Sequence, residues 1–369
     1  MPAGFTDFQP VGDISSLGTT VLTKLAQSFE QFSSDDLSRF FPTETTMNTS
    51  ITIERVKEGV GVAPLVRPGF TDVLTDNAQV ERSQAFPAYS RESDFIPQNI
   101  INDLRKVGTL NEKEGKEFVA RRIQRMTNRS NHLYNVFKAL LLQGQISYTD
   151  PRTGEGINVN ANIPAGNMLD VVASFGGAQG WSAQATASPI KQLIEFRKKI
   201  HNRSKVMPKY IIMTSDLQTI LENNAEILRR SEQAFNPLNV VQFTDGRLTK
   251  IAGMQVITVD HIYQPPGGGT PVKVWGINKV CLISDIHPDY PGTSIGRMMY
   301  CVGEDPMGRP GIWVRSGPDT TPPAAPGRSM QMGNSGLPYL IYPDWIGLMT
   351  VDTVNNLSAI VDPTVTNTF

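Results

Sequence analysis

Cysteine is nearly absent. Cys281 and Cys301 are the only two, they stand in no CxxC spacing, and neither has a histidine at metal-ligand distance in sequence. A disulfide framework and a zinc site are therefore disfavoured, and two free buried thiols are expected. Long apolar runs are missing as well, since nothing approaches the roughly 18 consecutive apolar residues of a membrane helix. The opening MPAGFTDFQP has neither the basic start nor the apolar block of a signal peptide, so the chain is expected to stay in the cytoplasm where it is made. Charge of one sign is lacking too. Lys+Arg 34 against Asp+Glu 35 leaves a formal net charge of -1, the wrong balance for a protein whose main task is to grip phosphates.

Catalytic signatures are the next absence. The chain has no GxxxxGKS/T loop, no strand-GxGxxG-helix unit, no GxSxG elbow and no HExxH helix. Gly267-Gly268-Gly269 follows Pro265-Pro266 without the helix and lysine of a phosphate cradle, and reads as a surface hairpin loop. Asp260-His261, and Asp285 with His287 and Asp289, could be written as metal ligands, but both groups sit at strand ends where Asp and His make local hydrogen bonds. His132 stands alone on a helix and reads as structural. No catalytic, cofactor-binding or metal residue is nominated.

What is present is size and pattern. A chain of 369 residues can hold two or three compact units. Only 19% of it is charged while Gly (31) and Pro (26) are plentiful, which predicts many turns and extended segments beside a few helices, an α+β protein making large contacts with other chains. Its longest pattern runs from Asn111 to Gly144. Val119, Ile123, Met126, Leu133, Phe137 and Leu140 recur at steps of four and three, with Ser130 the polar member of the series, so one stripe of a single long helix is apolar. Thr109 with Glu112, or Asn111 with Glu114, caps its start, Gly144 its end, and Gly115 is its weak point. At 1.5 Å per residue this spine is about 50 Å long. Its opposite face carries Arg121, Arg125 and Arg129, with Arg122 at the edge, which makes either a solvated charged face or a positive face for a neighbouring chain or nucleic acid.

Before the spine, Leu17, Val21, Leu25, Phe29 and Phe32 predict an amphipathic helix in an aromatic-rich N-terminal arm that must dock on its own body or on a neighbour. Met47, Thr49, Ile51 and Ile53 alternate as one strand, with Ala78 to Gln84 returning, around the tip VGVAPLVRPGFTDVL. Such a ribbon has too few apolar residues to stand alone and needs a second surface, on its own domain or elsewhere. After the spine come a hairpin turning at DPRTGEG, a helix opening at Ser188-Pro189, and a basic run from Arg197 to Lys209 that suits the negative end of that helix better than a nucleic-acid patch. Tyr210 to Met213 reads as a strand, Thr214 or Ser215 as the cap of a helix to Arg230, and Val240 to Phe243, Met254 to Val259 and Val272 to Ile283 as strands. The stretch from His287 to Asn334 reads as turn-rich, and Leu337 to Leu340 and Ile346 to Val351 as strands.

Taken in order, the VAPLVRPG tip, FPAYSRESDFI, the spine ending in ALLLQGQISY, a Trp-containing loop before a helix, YIIMTSDLQTILENN, IAGMQVITVD and WGINKVCLISD resemble the lambda-like capsid protein E family of tailed phages, from about Phe41 to about Val351. The resemblance implies the Hong Kong 97-type α+β capsid fold. Its parts would be an N-terminal arm (1–45), an extended β-hairpin loop (46–90), a peripheral domain (91–164) built on the spine helix 111–144, an axial domain (165–284), a return segment with peripheral-domain strands (285–353) and a C-terminal tail (354–369). It also implies a major capsid protein with no enzymatic activity, cofactor or membrane, forming pentamers and hexamers in an icosahedral shell assembled in the host cytoplasm. The loop of one subunit would lie over the next through Lys57, Val62, Pro64, Leu65, Val66, Arg67, Pro68 and Phe70. Lys57 is the loop lysine that cross-linking members would use, although the lambda-like branch is not defined by that chemistry. Expected partners are a separate scaffold, a portal, decoration proteins, and packaged double-stranded DNA held by weak non-specific contact, with Arg121, Arg125 and Arg129 as an inward or inter-subunit row. The competing readings are an encapsulin-type compartment and a cytoplasmic α+β enzyme with a non-local site.

Overall fold

The computed structural model describes residues 17–30, 37–57, 79–104, 110–150, 154–232, 240–264, 271–285, 294–305, 308–318 and 327–361. Expectations that fall on other residues, Thr109 as a helix cap and Phe32 in the arm among them, lie outside this set.

The spine is one helix, Leu110–Leu142, ending at Gly144, whose φ of 118° is open to glycine and whose N–H donates to Leu141 O at 3.1 Å. It is seated on two separate cores. Val119, Ile123 and Met126 pack with Leu22, Ala26, Ile96, Ile101, Leu104, Val314, Met330 and Met332. Tyr134, Val136, Phe137, Ala139, Leu141 and Leu142 pack with Phe40, Phe41, Ile51, Ile53, Trp275 and Trp345. Between the two, Thr127, Ser130 and Asn131 are buried but polar. Gly115 marks a close approach, because a Cβ there would come within 3.0 Å of the Leu104 side chain on the short helix Gln98–Leu104.

Beneath the spine lies a five-stranded sheet organised on the strand Gly327–Leu340. Ala88–Pro97 pairs along one of its edges. Gly296–Tyr300 and Trp313–Pro318 lie end to end along the other, since Gly336 is opposite both Ala88 and Tyr300, and Gly333 opposite both Arg91 and Trp313. Thr43–Thr45 adds in parallel beyond Gly296–Tyr300. Gly296–Tyr300, Trp313–Pro318 and the first half of Gly327–Leu340 fall in the stretch read as turn-rich, whereas Leu337 to Leu340 is a strand as expected. The central strand needs glycine: a Cβ at Gly333 would sit 2.5 Å from the Trp313 ring, and one at Gly336 2.7 Å from Met298 and Tyr300. Small residues that read as turns are there to admit large neighbours.

The arm helix, Thr19–Glu30, docks on the chain's own sheet. Thr23 Oγ1 donates to Val314 O and accepts from Val314 N, both at 3.1 Å. Its buried face is Leu22 and Ala26, with Leu25 and Phe29 partly covered, while Val21 is 50% exposed. The predicted face is thus rotated, because the Thr23 bonds set the helix's orientation.

A second, seven-stranded mixed sheet runs in the order Met168–Asp170, Gly347–Thr350, Lys279–Ile283, Tyr210–Met213, Met254–Thr258, Arg247–Ile251, Val241–Thr244. The helix Pro189–Ser204 covers it through Ile190, Leu193, Phe196 and Ile200, in a core that includes Trp181. Thr214 caps Ser215–Glu222 by accepting from Leu217 N. The helix expected to continue to Arg230 breaks at Asn223 and Asn224 and restarts as Ala225–Glu232.

Candidate functional site: the spine face and the root of the ribbon

The strand Ala88–Pro97 turns Ser90, Glu92 and Asp94 to one face, at steps of two, and the spine meets them with Ser130, Arg129 and Arg122. Ser90 Oγ and Ser130 Oγ are 3.3 Å apart, and Arg129 Nη2 is 3.2 Å from Glu92 Oε1. Arg122 Nη1 donates to both Asp94 oxygens, at 3.1 and 2.9 Å, with its guanidinium 5.0 Å from the Phe118 ring centroid. Arg121 reaches back one turn to Glu117 at 3.4 Å. Arg125 is exposed and makes no ion pair among the described residues. The row Arg121, Arg125, Arg129 is thus two exposed, internally paired cations and one free one. Pairs this exposed contribute about 0–1 kcal/mol each, so the arginines can exchange partners cheaply.

The polar seam below these pairs is imperfectly closed. Asn334 Nδ2 donates to Ser130 Oγ at 3.4 Å and Thr127 Oγ1 to Met332 Sδ at 3.7 Å, whereas Asn131 Nδ2 and Asn334 Oδ1, both buried, have no partner among the described residues.

The ribbon's root is the antiparallel pair Ile51–Lys57 and Gln79–Ala85. It begins later than predicted: Met47 lies outside the strand and is 74% exposed. Ile51 and Ile53 are buried in the chain's own core, and Val56 N donates to Ile341 O at 3.0 Å. Arg55 is buried beside them. Its Nη1 donates to Ser83 Oγ and its Nη2 to Asn160 O, both at 3.2 Å; burial presses its pKa down, and Glu81 at 3.8 Å pushes the other way. At the far end of the returning strand Phe86 is 78% exposed. Lys57 ends the first strand. Val62, Pro64, Leu65, Val66, Arg67, Pro68 and Phe70 lie outside the described residues.

Of the titratable groups singled out in the sequence, His287 and Asp289 lie outside the described residues and the others are occupied with structure. Asp260 Oδ1 accepts from Ser215 N at 3.0 Å, and Asp285 Oδ2 accepts from Tyr210 OH at 2.9 Å with Arg39 at 3.9 Å. His132 Nε2 lies 2.9 Å from Ile262 O, and its ring meets that of His261 edge to face with centroids 6.3 Å apart. Among the described residues no cluster of three or more His, Cys, Asp or Glu could hold a metal ion. Cys281 and Cys301 are free and buried; burial drives both thiols up, that of Cys301 to about 11, which suits inert packing and not nucleophilic work. No described helix is long and apolar enough to cross a membrane. The strand pairing of Arg129 and Arg122 was not foreseen, and the one signal for it was the alternation of Ser90, Glu92 and Asp94.

A family model described as "Phage major capsid protein E" matches residues 19–309. A search of curated proteins finds no match. Among solved structures, one assigned as a prophage capsid protein from Escherichia coli CFT073 is 13% identical, with a TM-score of 0.60 over 91% of this chain and 99% of that one. A phage-related protein from Bordetella bronchiseptica RB50 is 14% identical, with a TM-score of 0.54 over 90% and 97%. At such identities the likeness is one of fold, the α+β arrangement of Hong Kong 97-type capsid structures.

Proposed function

The chain belongs to the phage major capsid protein E family, and from that premise we propose how its parts build a shell. It is a major capsid protein: copies assemble as a homo-oligomeric phage shell, a component of the virion, and its role is structural, not enzymatic. The match to a phage family also takes the phage shell over the encapsulin-type compartment.

The finer reading follows the geometry. Residues 1–45 act as the arm, 46–90 as the extended loop, 91–164 with part of 285–353 as a peripheral domain on the spine, and 165–284 as an axial domain at five- and six-fold centres. The observation that carries it is the ribbon root. Buried Ile51, Ile53 and Arg55 fix the ribbon's base to its own subunit, while Phe86 and Met47 stay exposed and the sequence continues into the apolar VAPLVRPG. Contacts for that apolar material come from a sister copy, through Lys57, Val62, Pro64, Leu65, Val66, Arg67, Pro68 and Phe70. A scaffold, a portal, decoration proteins and weakly held double-stranded DNA complete the assembly, and the near-neutral charge keeps the DNA releasable. Electron microscopy of the purified protein tests the reading. Closed shells, or rings of five and six subunits, are expected, and a persistent monomer at assembly concentrations overturns it.

A further inference from the structure

The basic run Arg197–Lys209 takes no part in the contacts assigned above, and the structure divides it in two. Arg197 is turned inward, Nε donating to Pro208 O at 2.9 Å and Nη1 to Ala252 O at 3.0 Å, so it closes the turn after the helix Pro189–Ser204. Burial lowers its pKa, as suits a cation given over to structure. Lys198, Lys199, Arg203, Lys205 and Lys209, with Lys191 about two turns earlier, are exposed instead, and their side chains make no hydrogen bond or ion pair among the described residues.

Helix geometry spreads these cations over the side turned from the core. Ile190, Leu193, Phe196, Ile200 and Ser204 are buried at steps of three and four, so Lys191 and Lys198 lie on the opposite side with Lys199 at its edge, Arg203 stands on the flank beside buried Gln192, and Lys205 follows at the helix end. Glu195 is the sole carboxylate between Lys191 and Lys209. Complementing the negative end of a helix takes one or two cations in its last turn. Here six stand against one carboxylate, in a chain whose totals are 34 and 35. The arginines of the spine are largely spoken for by Glu117, Glu92 and Asp94, whereas these six are not.

We propose that this face is a docking surface for the phosphate backbone of double-stranded DNA, an assignment that rests on the reading of the chain as a genome-enclosing shell subunit. Charge complementarity selects the occupant. The duplex offers about one negative charge per 1.7 Å of axis. The helix, 16 residues and so about 24 Å long, lays its cations along roughly two-thirds of a duplex turn. Lysines are point charges on flexible stems and Phe196 of this helix is buried away from them, so contact is with phosphates and indifferent to base sequence. The Arg203 guanidinium lies across Gly166, where any Cβ would overlap it, which holds that charge at the surface beside the helix end.

The test is fluorescence anisotropy of a labelled duplex of about 30 base pairs with unassembled subunit, between about 50 and 200 mM salt. In Lys198→Gln/Lys199→Gln/Arg203→Gln the slope of log K against log salt should become shallower by about 2 to 3, at roughly 0.9 per lost phosphate contact, with at least a tenfold loss of affinity at the lower salt. Arg121→Gln/Arg125→Gln/Arg129→Gln should shift the slope by no more than about 1, the share of the one unpaired cation, Arg125. If the spine variant loses the slope and the helix variant does not, genome contact stands but is placed elsewhere, and the assignment is overturned. If wild-type subunit ignores the duplex yet forms particles, the docking surface falls while the shell reading survives. If polyglutamate displaces the duplex at lower charge concentration than unlabelled duplex does, the face takes an acidic polypeptide and not DNA.

Discussion

Asp352 shows how much a single buried carboxylate holds in this fold. Its Oδ2 accepts from Ser182 N at 3.0 Å and Ser182 Oγ at 2.5 Å, its Oδ1 from Thr353 N at 2.7 Å and Asn356 Nδ2 at 3.0 Å. One residue thereby joins the turn carrying Trp181, the end of the strand Gly347–Thr350, and the helix Val354–Val361. Burial alone would raise its pKa, but the bonds from Ser182, Thr353 and Asn356 prevail and hold it below the ordinary 3.8. The unfolded chain therefore takes up the proton first as pH falls. The stabilisation is complete above the unfolded value and is lost as pH drops through the lower folded one. Asp352→Asn should cost about 2–3 kcal/mol near neutral pH, since an amide nitrogen would face donors where an oxygen now accepts. Urea unfolding of wild type and variant across a pH series should show a constant gap above about pH 5 that closes on acidification. A gap that persists unchanged near pH 3 would show that the carboxylate's charge is not the source.

Among the elements, the spine was the most legible in sequence and its bed the least. A periodic stripe and a terminal glycine located Leu110–Leu142 to within two residues at either end, because a helix announces itself locally. Of the strands beneath, Leu337 to Leu340 is legible and the rest announce little. Ala88–Pro97 presents Ser90, Glu92 and Asp94 to the spine in place of an apolar face, and Gly327–Leu340 uses glycine to accept Trp313 and Tyr300, so neither carries the apolar alternation by which buried strands are read. The root strands of the ribbon were visible as an alternation through Ile51 and Ile53, while the pairing of Arg129 with Glu92 depended on a register that only folding supplies. That polar bed has a measurable consequence. Asn131 is buried with an Nδ2 unpartnered among the described residues, a donor that forfeits its hydration and gains nothing. Asn131→Leu, of similar size, should be neutral or stabilise the unassembled subunit by about 1–2 kcal/mol, seen as a higher thermal midpoint. A drop of more than about 1 kcal/mol would mean that the amide is bonded in solution and that the seam is closed.

At the scale of the molecule, the proposed function divides the ribbon into a root held by its own subunit and a tip that would serve the assembly. The root stands without the tip: Ile51 to Lys57 pair residue by residue with Ala85 to Gln79, Ile51 and Ile53 are buried, and Arg55 is tied to Asn160 of the neighbouring hairpin. Deleting Val60 to Val73 only shortens the loop that closes this ladder, and loop-closure entropy changes by about 0.6 kcal/mol for each halving of length, in the stabilising direction. The monomer's thermal midpoint should therefore hold or rise slightly. Assembly should not survive, because the apolar contacts proposed for Val62, Leu65, Val66 and Phe70 on the next subunit go with the deleted segment. Sedimentation and electron microscopy of the trimmed protein are expected to find folded, unassembled subunits where the full chain gives particles. A normal yield of particles would take the tip out of the assembly and leave the arm and the peripheral surfaces to hold the shell.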